Sequence, residues 1–241
     1  AHDQMLDSPT FGSEGSANFC TGNPLNNVNS SSFAEGNTKL TGTVWTAAYC
    51  NFEIPQTGSW YWEYISSDYV YGYPGVQTTT TDANQQNHDY AVVQNGEYRY
   101  EGTGEAATGN IATGDIIAFW VNDGVIKVYV NNSLDHTFGT NMSASVHASK
   151  TYYASSIGNA NGTFNFGQDG TFAGAKTAGG NADANGFGNF TYSPKGLALC
   201  SGNLPTADAV DPAQTDDDYP QKLFSPLLYT GTGSSNARTG L

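Results

Sequence analysis

The sequence predicts an all-β chain folded as an antiparallel two-sheet β-sandwich, and three observations point that way. Of its 241 residues only 12% are charged while 13% are aromatic, with 29 Gly and 15 Tyr among them. Rings and turn formers at the expense of charge suit strands joined by tight turns. Apolar residues either alternate with period two or run in short β-branched blocks, and nowhere do they keep an i, i+3, i+4, i+7 rhythm for three turns. Asn, Asp and Gly clusters bound those blocks.

From about Leu40 to Phe166 the pattern is that of strands. In Ser59-Trp60-Tyr61-Trp62-Glu63-Tyr64-Ile65, period two puts Trp60, Trp62 and Tyr64 on one face. Glu63 falls on the other, where it is expected to meet solvent or to pair with Lys127 or Arg99. Tyr90 to Val93 and Glu97 to Tyr100 read as strands around the turn Gln94-Asn95-Gly96. Asp115 to Val121 is a nearly continuous apolar run, as expected of a central strand covered on both faces. Asn122-Asp123-Gly124 then turns the chain into Val125 to Val130, and Asn131-Asn132 turns it again. Tyr152 to Ile157 and Gly162 to Phe166 complete the set, joined through Asn159-Ala160-Asn161-Gly162. Trp60, Trp62, Ile116, Phe119, Val125, Val128, Phe164 and Phe166 are the predicted core.

Thr171 to Asn189, rich in Gly, Ala and Asn, reads as a loop or flexible excursion. The sandwich is assigned residues 1–202. Residues 203–221 form a linker, with Pro205, Pro212 and the solvated run Asp216-Asp217-Asp218, which lacks EF-hand spacing. Residues 222–241 form an irregular C-terminal extension or the start of a further module. Its apolar strand, Leu223, Phe224, Leu227, Leu228 and Tyr229, has no domain of its own and calls for a partner surface.

Eight basic against 22 acidic side chains give a formal charge of −14. With no basic cluster, the footprint of a nucleic-acid partner is missing, and anionic membranes are disfavoured. The longest apolar stretches are too short for membrane insertion. Cys20, Cys50 and Cys200 form no CxxC pair, so no zinc or thioredoxin-type site is indicated; buried free thiols are expected, with a disulfide between two of them as the alternative. The four histidines, His2, His88, His136 and His147, are scattered, and GxSxG is missing. Asp115 and Asp123 have turn roles that account for them. No catalytic residue, cofactor or metal ligand is therefore assigned. The candidate ligand-binding residues are Tyr69, Tyr71 and Tyr73, which offer rigid amphipathic rings, with Asn87 and His88 at the end of the polar stretch that follows. The competing reading makes Tyr71 and Tyr73 alternate residues of a strand.

Several stretches together resemble the SPRY (B30.2-like) domain of tailed-bacteriophage virion proteins. They are Asp7-Ser8-Pro9-Thr10, Asn18 to Leu25, Gly58 to Glu63, Gly114 to Trp120 with Gly124 to Asn132, Thr163 to Gln168, and Ser193 to Cys200. The resemblance runs from about residue 7 to 205. Asn203-Leu204-Pro205 and Leu228 to Gly233 also resemble the joint to a following module in such phage proteins. Tyr71 to Val76 and the long Thr171 to Asn189 insertion depart from that pattern.

What the resemblance implies is a concanavalin-like sandwich without catalysis, located in the virion as a fibre, neck or capsid appendage. Its implied partners are other virion proteins and a host surface glycan or protein, in a homo-oligomer such as a trimer. The alternative is a secreted carbohydrate-active enzyme or lectin, which as a glycosidase would need two carboxylates about 5–9 Å apart. A cellular SPRY adaptor for peptides is the third reading.

Overall fold

The structure is a computed structural model and describes residues 17–28, 32–42, 46–67, 72–78, 89–93, 96–107, 111–144, 149–158 and 161–204. The chain separates after Leu204 into two units, of which the first is described here.

Among the described residues fifteen strands follow in order: β1 (Gly22–Val28), β2 (Ser32–Ala34), β3 (Lys39–Thr41), β4 (Thr46–Glu53), β5 (Ser59–Ser66), β6 (Gly72–Thr78), β7 (Tyr90–Val93), β8 (Glu97–Tyr100), β9 (Thr103–Ala107), β10 (Ile116–Asn122), β11 (Val125–Val130), β12 (Ser133–Thr137), β13 (Tyr152–Gly158), β14 (Gly162–Asn165) and β15 (Leu197–Ala198). They form two sheets. The first runs β1-β4-β13-β6-β7-β8-β9, and the second runs β12-β11-β10-β5-β14-β3-β2. All pairings are antiparallel except β15, which lies parallel to β5 through Leu197↔Trp60 and Ala198↔Tyr61. The protein is thus an all-β, two-sheet sandwich, and its described residues contain no α-helix.

Local chemistry sets the register. Asp123 (φ 47°) and Gly124 (φ 79°) form a two-residue turn closed by Asn122↔Val125. Positive φ at both central residues is the type I′ geometry whose twist matches a hairpin, and Gly reaches it without steric cost. Asn131 (φ 47°) and Asn132 (φ 69°) repeat the device between β11 and β12. Asn131 also accepts a hydrogen bond from the Ile116 N–H at 3.1 Å and donates to Asp115 Oδ1 at 2.8 Å. The predicted hairpin and the turn after it are therefore found as read. β7 and β8 match their predicted limits, although residues 94 and 95 of the turn between them lie outside the described residues.

Between the sheets lies a core with Trp60, Trp62, Tyr64, Phe119, Val128, Phe164 and Phe166 buried within it. Trp62 stacks on Phe119 with ring centroids 5.3 Å apart. Of the predicted core only Val125 remains partly exposed. Tyr64 crosses the interlayer, its hydroxyl 3.0 Å from Ser156 Oγ on β13, and it also donates to the Asn161 carbonyl at 3.1 Å. Gly162 sits so close to this ring that a Cβ there would collide with the Tyr64 hydroxyl and the Ile65 carbonyl. The three cysteines are buried and free. Burial is the main cause that pushes the Cys50 thiol well above its ordinary range.

The back of β5 corrects the sequence reading. Glu63 neither faces solvent nor meets Lys127 or Arg99; it is 0% exposed. The coil from about 167 to 196 lies over that face of the second sheet. Phe187 and Phe190 pack on Tyr61, Ala118, Ala198 and Cys200, while Phe172 packs on Ile65 and Ile116. Tyr61 and Phe190 meet edge to face at 5.2 Å. The predicted loop is indeed irregular, with the single bridge Asn181↔Phe190, but it forms a packed third layer. Period two correctly separated the two faces of β5; it gave no sign that the second face was also covered.

Candidate functional site

Buried carboxylates are where chemistry would be sought, and in this fold they fasten the third layer. Glu63 Oε1 accepts from the Tyr61 hydroxyl (3.1 Å) and the Tyr192 N–H (2.9 Å); Oε2 accepts from Asn165 Nδ2 (3.2 Å) and the Thr191 N–H (3.0 Å). Burial, the largest influence, raises its carboxyl above the usual range, and these four donors pull it only part of the way back. The Tyr61 phenol is pushed far up, by burial first and then by Glu63. Asp183 is the second fastener. Its Oδ1 accepts from the N–H groups of Asn185 and Phe187, each at 2.9 Å, and its Oδ2 from the Ala198 N–H at 2.7 Å and Asn203 Nδ2 at 2.6 Å. Asp169 caps a turn with the Thr171 hydroxyl and the N–H groups of Thr171 and Ala173. Such saturated carboxylates hold backbone in place and leave little acceptor capacity for a substrate.

One histidine joins a polar cluster that no sequence spacing announced. His136 on β12 lies with Nε2 3.0 Å from Glu105 Oε2 on β9, and stacks on the Tyr98 ring at 4.2 Å. Tyr98 on β8 donates to Asp135 Oδ2 at 2.5 Å, and Glu105 also accepts from the Gly139 N–H at 3.2 Å. β9 and β12 are edge strands of different sheets. The cluster therefore stitches the two sheets together along one side.

The second sheet beyond the third layer is different. Outward positions of β10 and β11 bring Trp120 opposite Lys127 and Ala118 opposite Tyr129, and Tyr129 in turn opposes Leu134 on β12. Trp120 and Tyr129 are half-buried, with ring centroids 6.4 Å apart. The Trp120 indole N–H donates to Ser59 Oγ at 2.8 Å, which fixes the ring. Lys127 Nζ lies 4.6 Å over the Trp120 ring, and Lys195 Nζ 5.7 Å from the centre of Tyr129. Lys195 also donates to Asn132 Oδ1 at 3.2 Å. Leu134 is 55% exposed. Among the described residues, ion pairs engage Arg99 with Glu97, and Lys150 with Asp89 and Glu101, but not Lys39, Lys127, Lys176 or Lys195. Two fixed rings, two ammonium groups with no ion pair among the described residues and an exposed apolar side chain thus share one face.

Of the sequence-predicted ligand residues, Tyr73 is described, and it is 4% exposed, packed with Ala91 and Val93. Its ring belongs to the packing and is not offered at the surface, as the strand reading had it. Tyr69, Tyr71, Asn87 and His88 lie outside the described residues, as do Leu223, Phe224, Leu227, Leu228 and Tyr229 of the extension. Sequence reasoning missed the Trp120–Tyr129 face. The signal available was Lys127 amid β-branched residues, outward by period two and opposite a tryptophan across a known turn.

No protein-family model matches the sequence, and no curated protein does either. Among solved structures, the chain is similar to stonustoxin at 16% identity and a TM-score of 0.48, over 61% of this chain and 26% of that one, about a quarter of its length. It is similar to the SPRY domain of human HERC1 at 13% identity and a TM-score of 0.49, over 59% of this chain and 93% of that one. The TRIM65 PSpry domain matches at 12% identity and a TM-score of 0.48, over 61% and 90%.

Proposed function

We propose that this chain is a non-enzymatic virion component of a tailed phage: a fibre, neck or capsid appendage that binds a host surface molecule or a neighbouring virion protein. The ordered series of SPRY-like stretches in the sequence supports this reading. The observation that carries it is a contrast within the fold. The buried carboxylates Glu63 and Asp183 are committed to holding the third layer. The face around Trp120 and Tyr129, built on two tight hairpins, is only partly covered, and among the described residues its lysines have no carboxylate partner. Rigid rings beside polar groups are what recognition surfaces use. The chain acts as a homo-oligomer in the particle, trimeric if it is a fibre, with the 222–241 extension meeting a neighbouring virion protein.

Cryo-electron microscopy of phage particles tests this. Density for the chain at a symmetric appendage supports the reading, and its absence from purified particles overturns it. A lectin or carbohydrate-active enzyme is the second reading, favoured by the same aromatic floor. Its mark would be a free extracellular monomer that binds or shortens polysaccharide.

A further inference from the structure

We infer that the face floored by Trp120 and Tyr129 takes an anionic polysaccharide, with Lys127 and Lys195 receiving its carboxylates. The inference rests on the binding role proposed above and names the ligand chemistry.

Charge complementarity comes first. The chain has 8 basic side chains against 22 acidic ones. Among the described residues Arg99 and Lys150 are paired with carboxylates while Lys39, Lys127, Lys176 and Lys195 are not, and two of those four, Lys127 and Lys195, rest on neighbouring rings of this one face. Lys127 rests against the Trp120 ring, which holds the ammonium in place without neutralising it. Lys195 is held by an amide oxygen and a phenol ring, again without an opposing charge. An anion completes both. Lysine acts here as a point charge, suited to single carboxylates spaced along a polymer.

The rest of the surface selects a sugar. Trp120 and Tyr129 are fixed on strands, partly covered by the cluster around Phe187 and Phe190 and by the two ammonium groups, and what remains exposed of their rings is apolar surface for the C–H groups of a pyranose. Asn132 and Ser133, both exposed in and beside the second turn, offer an amide and a hydroxyl to sugar hydroxyls.

The test uses the full chain and polygalacturonate as probe, with neutral dextran, dextran sulfate and poly-L-glutamate as comparison arms, read by calorimetry at low and high salt. The substitutions Lys127→Gln and Lys195→Gln remove charge at surface positions and leave the rings alone, so a matching circular-dichroism melt checks the fold. Expected is polygalacturonate binding that weakens with salt and falls about tenfold in the double variant, as for loss of two exposed charge contacts. Polygalacturonate binding that the double variant leaves unchanged overturns the assignment of this face but not the attachment role. No binding to either acidic polysaccharide, equal binding to neutral dextran, preference for dextran sulfate, or poly-L-glutamate binding as tight as polygalacturonate overturns the ligand class. New reducing ends in the polygalacturonate would overturn the attachment role itself.

Discussion

Replacing Glu63 with Gln probes the joint between sandwich and third layer by changing one atom. Four donors converge on the carboxylate, two on each oxygen. An amide keeps one oxygen and turns the other position into a donor. The Asn165 side cannot accept it cheaply, because Asn165 Oδ1 already accepts from the N–H groups of Gly167 and Asp169 at 2.8 and 3.2 Å. The amide nitrogen is therefore expected at the Oε1 position. There the Tyr61 hydroxyl can rotate to accept, and the Tyr192 N–H is left without a partner. A buried orphan donor costs roughly 1–3 kcal/mol, and the surviving bonds lose their charge assistance, about 1 kcal/mol each. Relief of a buried ion's desolvation offsets part of this. The expected net loss is about 2 kcal/mol, or a fall in Tm of roughly 4–8 °C for a domain of this size. Guanidinium unfolding measures the global value. Trypsin cleavage after Lys195, three residues past Tyr192, reports the joint locally and is expected to quicken in the variant. A variant as stable as the parent and equally resistant at Lys195 would refute the view that Glu63 fastens this layer.

Other expectations follow from the same geometry. Because the Glu63 carboxyl is raised in the folded chain above its ordinary 4.5, the native state holds that proton longer. Stability from this group therefore falls as pH rises through the window above 4.5, and Glu63→Gln should flatten that slope in unfolding free energies measured against pH. Asp169 runs the other way. Burial raises it, but the Thr171 hydroxyl and the N–H groups of Ala173 and Thr171 outweigh that and lower it below 3.8. Its contribution is present above 3.8 and lost as pH falls below it, so Asp169→Asn should blunt acid destabilisation. Gly162→Ala drives a methyl into the Tyr64 hydroxyl and the Ile65 carbonyl and should cost about 2 kcal/mol or more by denaturant melt. Tyr98→Phe removes the bond to Asp135 between the sheets and should cost about 1 kcal/mol; no loss would mean the contact is idle. Native Cys20, Cys50 and Cys200, all buried, should resist a thiol-specific disulfide reagent until the chain unfolds, and prompt reaction would contradict that burial.

What the sequence disclosed was the part written in short-range chemistry. The alternation in Ser59 to Ile65, the β-branched blocks of β10 and β11 and the turns Asp123-Gly124 and Asn131-Asn132 lie within a few residues of their consequences, so pattern and turn geometry suffice. The expected partners of Glu63 are replaced because two of its four donors are backbone N–H groups 128 and 129 residues later, in a Gly- and Asn-rich coil with no periodicity. The donors of such a coil carry no residue-type signature. Tyr73 shows the same limit: its strand was a legible alternative, but only the packing of Ala91 and Val93 on β7 puts the ring inside. His136 and Glu105, 31 residues apart, meet only because two sheet edges do. The Trp120–Tyr129 face was half legible, since Lys127 points outward by alternation, whereas Lys195 reaches it from the far end of the coil.

The third layer has a consequence for assembly in time. Its inner clamps at Asp169 and Asp183 join mostly near neighbours in sequence, so the coil can pre-shape itself early. Its seat on β5, by contrast, closes loops well over a hundred residues long, and contacts of such span are the slow ones to find. The back of β5 and β10, with Tyr61 and Ala118, gains its final neighbours late. A nascent chain is therefore sticky on a side that the mature one hides.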